Sequence, residues 1–282
     1  KRIAVIGSAA SAIQVVPQLA KTAAQVTLFQ RTPNYIAPRD DFDYSQQDQE
    51  DFRANPAKMD AMRRELFLDR DTRLYPIIIN RTIRHIAAQN IKTFMRSKVE
   101  DGDLQERLMP DYEVGCKRIL ISDDFLPALN RDNVRLVTES IDRMTSDGIS
   151  TSSGEDIGFD AIIYATGFDI EGHVHSLGVT GPGGVTLEQV WKDRTDAYKS
   201  VMIPAFPNYF MVTGPNAGVG TTSVVYLIEQ SVDWIVEMIK TGGRDRLISV
   251  QPDACARVSN DIQARLGDTV WASGCDSWYI AA

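Results

Sequence analysis

Cysteine is scarce in this chain, with three in 282 residues: Cys116, Cys255 and Cys275. None forms a CxxC pair or stands at metal-ligand spacing, which argues against a disulfide reductase and against a cysteine-held metal. Scattered this way, they fit a reducing, cytoplasmic setting. Histidine is just as sparse: His85, His173 and His175 show no partner spacing, so no metal site is expected. No apolar run approaches the roughly 20 residues of a membrane span. No secretory signal is present either. An excess of basic residues is also missing. The net charge of −8 argues against a nucleic-acid partner, although a local basic pocket can persist in an acidic protein.

What is present is ordinary for a globular protein: 43% hydrophobic and 24% charged residues. The length suffices for two modest domains. A strand is already running at Lys1, and the chain stops after Tyr279-Ile280-Ala281-Ala282 without a capping signal. Both ends therefore read as cuts.

Lys1 to Ile6 (KRIAVI) is a β-rich run, followed by a turn of Gly7 and small residues. Ile13, Val16 and Leu19 or Ala20 then recur at helical spacing to about Lys21, and Gln25 to Gln30 forms a second strand. This is the size of a β-α-β unit, whose right-handed crossover makes the two strands parallel. From about 42 to 110 the pattern becomes polar and helical, an insert of two or three surface helices. Strands are expected at Arg118 to Ile121, Val134 to Val137, Phe159 to Tyr164 and Asn208 to Thr213. A helix follows from the Thr221 to Ser223 capping region to Lys240, stopped by Gly242-Gly243, and another spans about Ala254 to Leu266.

A pyrophosphate needs backbone N–H groups aimed at it and no side chain in the way. Gly7 supplies the tight turn. Ser8, Ala9, Ala10, Ser11, Ala12, Ile13 and Gln14 lead into the helix, with Ala9 and Ala12 where the fingerprint usually has glycine. A unit for NADH usually ends its second strand on Asp or Glu. This strand ends Gln30-Arg31-Thr32, and a cation with a hydroxyl suits a 2′-phosphate instead. Lys117 and Arg118 stand side by side before an apolar strand, where their side chains point to opposite faces; a solvated strand edge is the simpler reading of that pair. Thr166 and Gly167 end a strand in a bend that permits close backbone approach. Asn216 lies in the loop from Gly214 to Gly220 before a capped helix, a second helix N-terminus able to hold partial negative charge. Trp278 is explained by packing on its own terms.

Taken in order, VIGSAASAIQVVPQLA, VTLFQRTPNYIAPR, GCKRILISDDFLPALNRDNVRLV, YATGFD, FPNYFMVTGPNAG with TTSVVYLIEQ, and DSWYI resemble the Baeyer–Villiger group of class B flavoprotein monooxygenases. The resemblance spans nearly the whole chain. It implies an α/β architecture with two dinucleotide-binding domains: a Rossmann-like NADP-binding domain over 1–160 with the helical insert, and part of an FAD-binding domain over 161–282. It implies that Ser8 to Gln14 holds the NADP pyrophosphate, that Arg31, Thr32 and Lys117 meet the 2′-phosphate side, and that Trp278 contacts NADP. Arg118 would be the active-site arginine beside the flavin. The stretch from Asn216 to Thr222 would line the flavin and substrate pocket. The implied reaction is NADPH-dependent reduction of FAD, formation of a C4a-peroxyflavin with O2, and insertion of oxygen beside a ketone carbonyl to give an ester or lactone. A ketone or sulfide is the implied small-molecule substrate.

Members of the group begin with a separate FAD-binding β-α-β unit. This chain has no second strand–GxGxxG–helix unit, so that unit is expected upstream of Lys1, and the isolated fragment is expected to be inactive without it. Two other readings remain at this point: a related N- or S-hydroxylating monooxygenase, and an NADP-binding module without chemistry.

Overall fold

Arg2–Ile6 (β1), Ala12–Thr22 (α1) and Gln25–Phe29 (β2) form the first unit of a computed structural model that describes residues 1–169, 177–218, 220–243, 245–275, 277 and 279. β1 and β2 pair in parallel, Arg2 opposite Gln25 through Ile6 opposite Phe29. The chain continues through Ile36–Ala37 (β3), four helices at Gln46–Ala54 (α2), Pro56–Ile79 (α3), Arg81–Ser97 (α4) and Gly102–Leu108 (α5), Leu120–Ile121 (β4) and Phe125–Leu129 (α6). Val134–Val137 (β5), Ile141–Met144 (β6), Gly148–Thr151 (β7), Asp156–Gly158 (β8) and Ala161–Tyr164 (β9) complete the strands. The main sheet is parallel, in the order β5-β2-β1-β9, and β6-β7-β8 is an antiparallel meander. This is a Rossmann-like α/β fold.

Alternation along β1 divides the core. Val5 faces a cluster with Ala12, Ile13 and Val16 of α1, Leu28, Met95 and Leu108. Its neighbour Ala4 faces Phe29, Val137 and Ile149, so the meander covers the opposite face of the sheet. Val5, Val16, Val26 and Leu28 are fully buried, each contributing about 1.5–3 kcal/mol of apolar transfer. The insert therefore holds four helices instead of two or three, and it is not wholly superficial. Met95 of α4 and Leu108 of α5 enter the core, whereas α2 buries nothing and starts with a Ser45–Asp48 capping box.

The chain divides into two compact units. The first comprises 1–56, 80–168 and 275–277; the second comprises 57–79, 169–274 and 278–282. In the second unit, Leu187–Val190 (α7) packs Leu187 and Trp191 with Ala197, Ile203 and Phe206. Val224–Gly242 (α8) and Pro252–Leu266 (α9) follow. α3 joins this unit through an Arg63–Glu229 ion pair and a Phe67–Tyr226 ring stack at 4.2 Å. α8 ends as expected, with Gly243 at φ 75° and its N–H on the Ile239 carbonyl.

One expected strand does not form. Asn208 to Thr213 makes only an isolated bridge, Phe210 to Met202. Asn208 takes a positive φ of 59°, which takes the backbone out of the extended region. Both its backbone N–H and its side-chain oxygen bind Ile248 instead.

Candidate functional site

Gly7 leaves β1 at φ +102°, and a Cβ there would lie 2.3 Å from the carbonyl oxygen of Ala165. Only glycine permits this approach. The expected close approach at Ala165-Thr166-Gly167 is therefore to the Gly7 turn itself, clamped by Ala165 N–H on the Ile6 carbonyl at 2.8 Å and by Gly7 N–H on the Phe29 carbonyl at 2.9 Å. Thr166 and Gly167 beyond it are exposed, Gly167 at φ +94°. β9 is the edge of the described sheet, and Tyr164 is 64% exposed.

Ala9, Ala10 and Ser11 are exposed, and no side chain caps α1, so its N-terminal backbone faces outward without an internal acceptor from Ser11. The Ala12 and Ile13 side chains pack into the core, and the Ile13 N–H donates to the Ala9 carbonyl. The exposed Gln14 returns its amide to the Ala10 carbonyl at 2.7 Å.

Ser8 links the turn to the end of β2. Its Oγ donates to the Thr32 carbonyl at 3.1 Å. Asn34 Nδ2 donates to the Ser8 carbonyl at 3.1 Å and to Ser8 Oγ at 3.2 Å. Arg31 is exposed beside this knot. Asn34 has no motif signal of its own; an amide two residues past the strand-end hydroxyl was the available clue.

β3 and β4 pair in parallel, Ile36 opposite Leu120. The segments leading into them, one carrying Arg31 and Thr32 and the other Lys117 and Arg118, thus enter the pair from the same end. Arg118 is exposed. Lys117 Nζ lies 5.3 Å from the centre of the Tyr112 ring, and Lys92 Nζ lies 5.7 Å from that of Tyr35. The two tyrosines meet edge to face, with Tyr35 Oη donating to the Tyr112 carbonyl at 2.9 Å. Burial, aided by the Glu113 and Asp111 carboxylates, pushes the Tyr35 phenol up to about 12, so it stays a neutral hydrogen-bond donor.

Cys116, immediately before this pair, is disulfide-bonded to Cys275. The fold brings these two cysteines together across 159 positions, which no local spacing reveals. Only Cys255 is free, and it is buried.

In the second unit, Asn216 is exposed at φ 65°. Its loop is held by the Gly214 N–H on the Ser200 carbonyl at 3.0 Å, where a Cβ on Gly214 would lie 2.4 Å from that oxygen. α8 starts one residue past the expected caps, and Ser223 makes no side-chain cap bond. Thr222 Oγ1 and Trp271 Nε1 are buried polar atoms without a partner. An open groove of about 430 Å³ lined by Trp234, Glu237, Met238 and Leu247 touches none of the residues expected from the sequence. Trp278, His173 and His175 lie outside the described residues. Among the described residues no cluster could hold a metal, and no helix is long and apolar enough to cross a membrane.

No family model matches the chain. It is 34% identical over 283 residues to a Baeyer–Villiger monooxygenase of Pseudomonas aeruginosa, covering 99% of this chain and 54% of that protein. It is 33% identical over 287 residues to a Baeyer–Villiger monooxygenase of Streptomyces coelicolor, covering 100% of this chain and 55% of that one. Among solved structures, an oxidized steroid monooxygenase bound to NADP superposes with a TM-score of 0.84 at 28% identity, over 99% of this chain and 60% of that one. OTEMO in complex with FAD and NADP superposes with a TM-score of 0.84 at 25% identity, over 100% and 61%. The chain thus spans about half the length of the curated relatives it matches, and over that shared length it is similar to Baeyer–Villiger monooxygenases.

Proposed function

We propose that this chain is the NADPH-handling part, with a portion of the FAD-binding part, of a monooxygenase that inserts one oxygen of O2 beside a ketone carbonyl. The observation that carries this reading is the knot at Ser8. It ties a turn built for a pyrophosphate to the segment bearing Arg31 and Thr32, where a 2′-phosphate is chosen. The assignment of 1–160 to NADP and of 161–282 to FAD belongs to the same proposal.

The residues fit both cofactors. For NADP, Gly7 leaves no side chain over the turn and α1 is uncapped. Ser8 to Gln14 would hold the pyrophosphate, and Arg31, Thr32 and Lys117 the 2′-phosphate. For FAD, the unpartnered buried Thr222 Oγ1 offers a hydrogen bond, and Asn216 is exposed on the Gly214 to Gly220 loop of the same unit. When bound, NADPH supplies hydride and FAD supplies the activation of O2.

The chain's own contribution is position and charge. The Arg118 guanidinium can present two N–H groups toward oxygen at once. Aimed at an oxygen where negative charge develops, such a donor contributes roughly 2.7–4 kcal/mol. Lys117 is held over the Tyr112 ring beside Arg118, and the two cations serve different ligands. The neutral Tyr35 phenol fixes the Tyr112 backbone behind Lys117 without adding charge. A cytoplasmic location, a ketone or sulfide substrate, and no nucleic-acid or membrane partner complete the reading.

The test uses the full-length protein. Its flavin absorbance is recorded, then NADPH and O2 consumption are followed with ketones and sulfides. Expected are ketone-dependent ester formation and a loss of roughly 10²–10³-fold in Arg118→Ala. NADPH binding without flavin and without O2 uptake overturns the proposal.

A further inference from the structure

The Cys116–Cys275 bond has no place in that chemistry, yet it sits directly against the Lys117–Arg118 pair. Cys116 closes a tight turn, its N–H donating to the Glu113 carbonyl at 3.0 Å after Gly115 at φ 89°. Two links from one distant segment converge on it. The first is the bond to Cys275. The second is Ser277 Oγ, which donates to the Cys116 carbonyl at 2.7 Å. Cys275 and Ser277 are thereby fastened to the residue immediately before the two cations.

We propose that Cys116 and Cys275 form a reversible redox clasp that a dithiol opens, and that the closed clasp holds the lead-in to Lys117 and Arg118 in its NADP-binding arrangement. In a reducing setting a disulfide persists only as a transient or regulatory bond. Access favours one sulfur. Cys116 is fully buried, whereas Cys275 is half-exposed. A thiolate of the dithiol attacks Cys275 Sγ, the S–S bond breaks, and Cys116 leaves as a thiolate that takes a proton. The dithiol's second thiolate then attacks the mixed disulfide and releases Cys275, which is protonated in turn. Two electrons and two protons pass to the protein while the dithiol is oxidised to its own disulfide. Cys255 does not compete: it is buried, and desolvation pushes its thiol up, out of reach of exchange.

The nucleotide effect rests on the NADP reading; the clasp itself does not. Opening it frees Cys275 and the 113–116 turn, so part of the ordering must be supplied at binding. NADP+ affinity is expected to fall by about three- to tenfold.

The experiment compares full-length protein as purified under air with protein treated with dithiothreitol. Alkylation with N-ethylmaleimide after denaturation is read by mass. Amide hydrogen exchange is followed at 113–118 and 275–277, and NADP+ affinity by titration. The oxidised form should take up one fewer pair of adducts than the reduced form, exchange at both segments should quicken about tenfold on reduction, and NADP+ should bind more weakly. Cys275→Ser should match the reduced form with or without dithiothreitol; if that variant does not fold, the reduced natural protein carries the comparison. Equal adduct counts before and after reduction overturn the bond. A bond that opens with no change in exchange overturns the clasp. A clasp that opens normally while NADP+ binds in neither state leaves the clasp standing and sinks the NADP reading. Unchanged NADP+ affinity with quickened exchange overturns the coupling to Lys117 and Arg118.

Discussion

Replacing Gly7 by alanine tests the geometry on which the nucleotide reading stands. The new Cβ would sit 2.3 Å from the Ala165 oxygen and 2.9 Å from its carbonyl carbon, both backbone atoms that cannot swing aside like a side-chain tip. The φ of +102° adds strain for any residue with a Cβ, of order 1–3 kcal/mol. If Ala165 retreats, its 2.8 Å bond to the Ile6 carbonyl stretches, at about 0.5–1.5 kcal/mol net. Together the loss is about 2–4 kcal/mol, or roughly 5–15 °C in Tm for a unit of this size. Urea denaturation and a thermal melt measure it. Gly102→Ala is the control, because a Cβ there meets nothing within 4 Å at the start of α5. That variant should stay within about 0.5 kcal/mol of the parent or gain slightly from helix propensity. A Gly7→Ala protein as stable as the control refutes the close approach between the turn and the strand-end bend.

Asn34→Ala removes both donors that hold Ser8. It should raise the KM for NADPH several-fold, about 1 kcal/mol, while leaving kcat unchanged, and a fall in kcat alone would contradict a positioning role. Arg31→Ala should raise the KM for NADPH by roughly ten- to a hundredfold and leave that for NADH unchanged, since only NADPH carries the 2′-phosphate. Combined with Lys117→Ala, the two losses should fall short of additive by about 0.5–3 kcal/mol if both cations meet one phosphate; strict additivity assigns them different ligands. Asp160 accepts the Arg2 backbone N–H at 2.6 Å, and that bond, with the Arg2 charge, holds its carboxyl below the ordinary range. A lowered folded pKa gives stability that is complete above the unfolded value near 4 and lost as pH falls through the folded one. Asp160→Asn should therefore show a shallower loss of Tm below about pH 4, and an unchanged acid slope would dismiss the contact.

Local signals carried the first half of the fold well. KRIAVI and QVTLFQ read as strands because a parallel strand is covered on both faces and runs apolar without strict alternation. The same rule misled at FDAIIY, which has the composition of a covered strand but lies at the edge of the described sheet with Tyr164 exposed. NYFMVT failed for a different reason. Its β-branched and aromatic content outweighed Asn208, yet the positive φ at that one residue breaks the extended run. The Ala12 and Ile13 side chains enter the core, as the helical spacing of the apolar residues in α1 predicts.

The residues that decide the site were legible as types but not as a group. Arg31 stands far in sequence from Lys117 and Arg118, and on spacing alone the latter pair reads more simply as a solvated strand edge. What unites them is a two-residue parallel pairing, Ile36 with Leu120 and Ala37 with Ile121, too short to announce itself in either segment. Its strength comes from what surrounds it: Leu120 N–H on the Tyr35 carbonyl at 2.9 Å, Ser122 N–H on the Ala37 carbonyl at 3.1 Å, and burial of both Ile36 and Leu120. Asn34 and the Cys116–Cys275 bond extend the same frame on either side. A chain of net charge −8 can therefore gather cations at one place, because backbone pairing fixes their positions and the average charge does not.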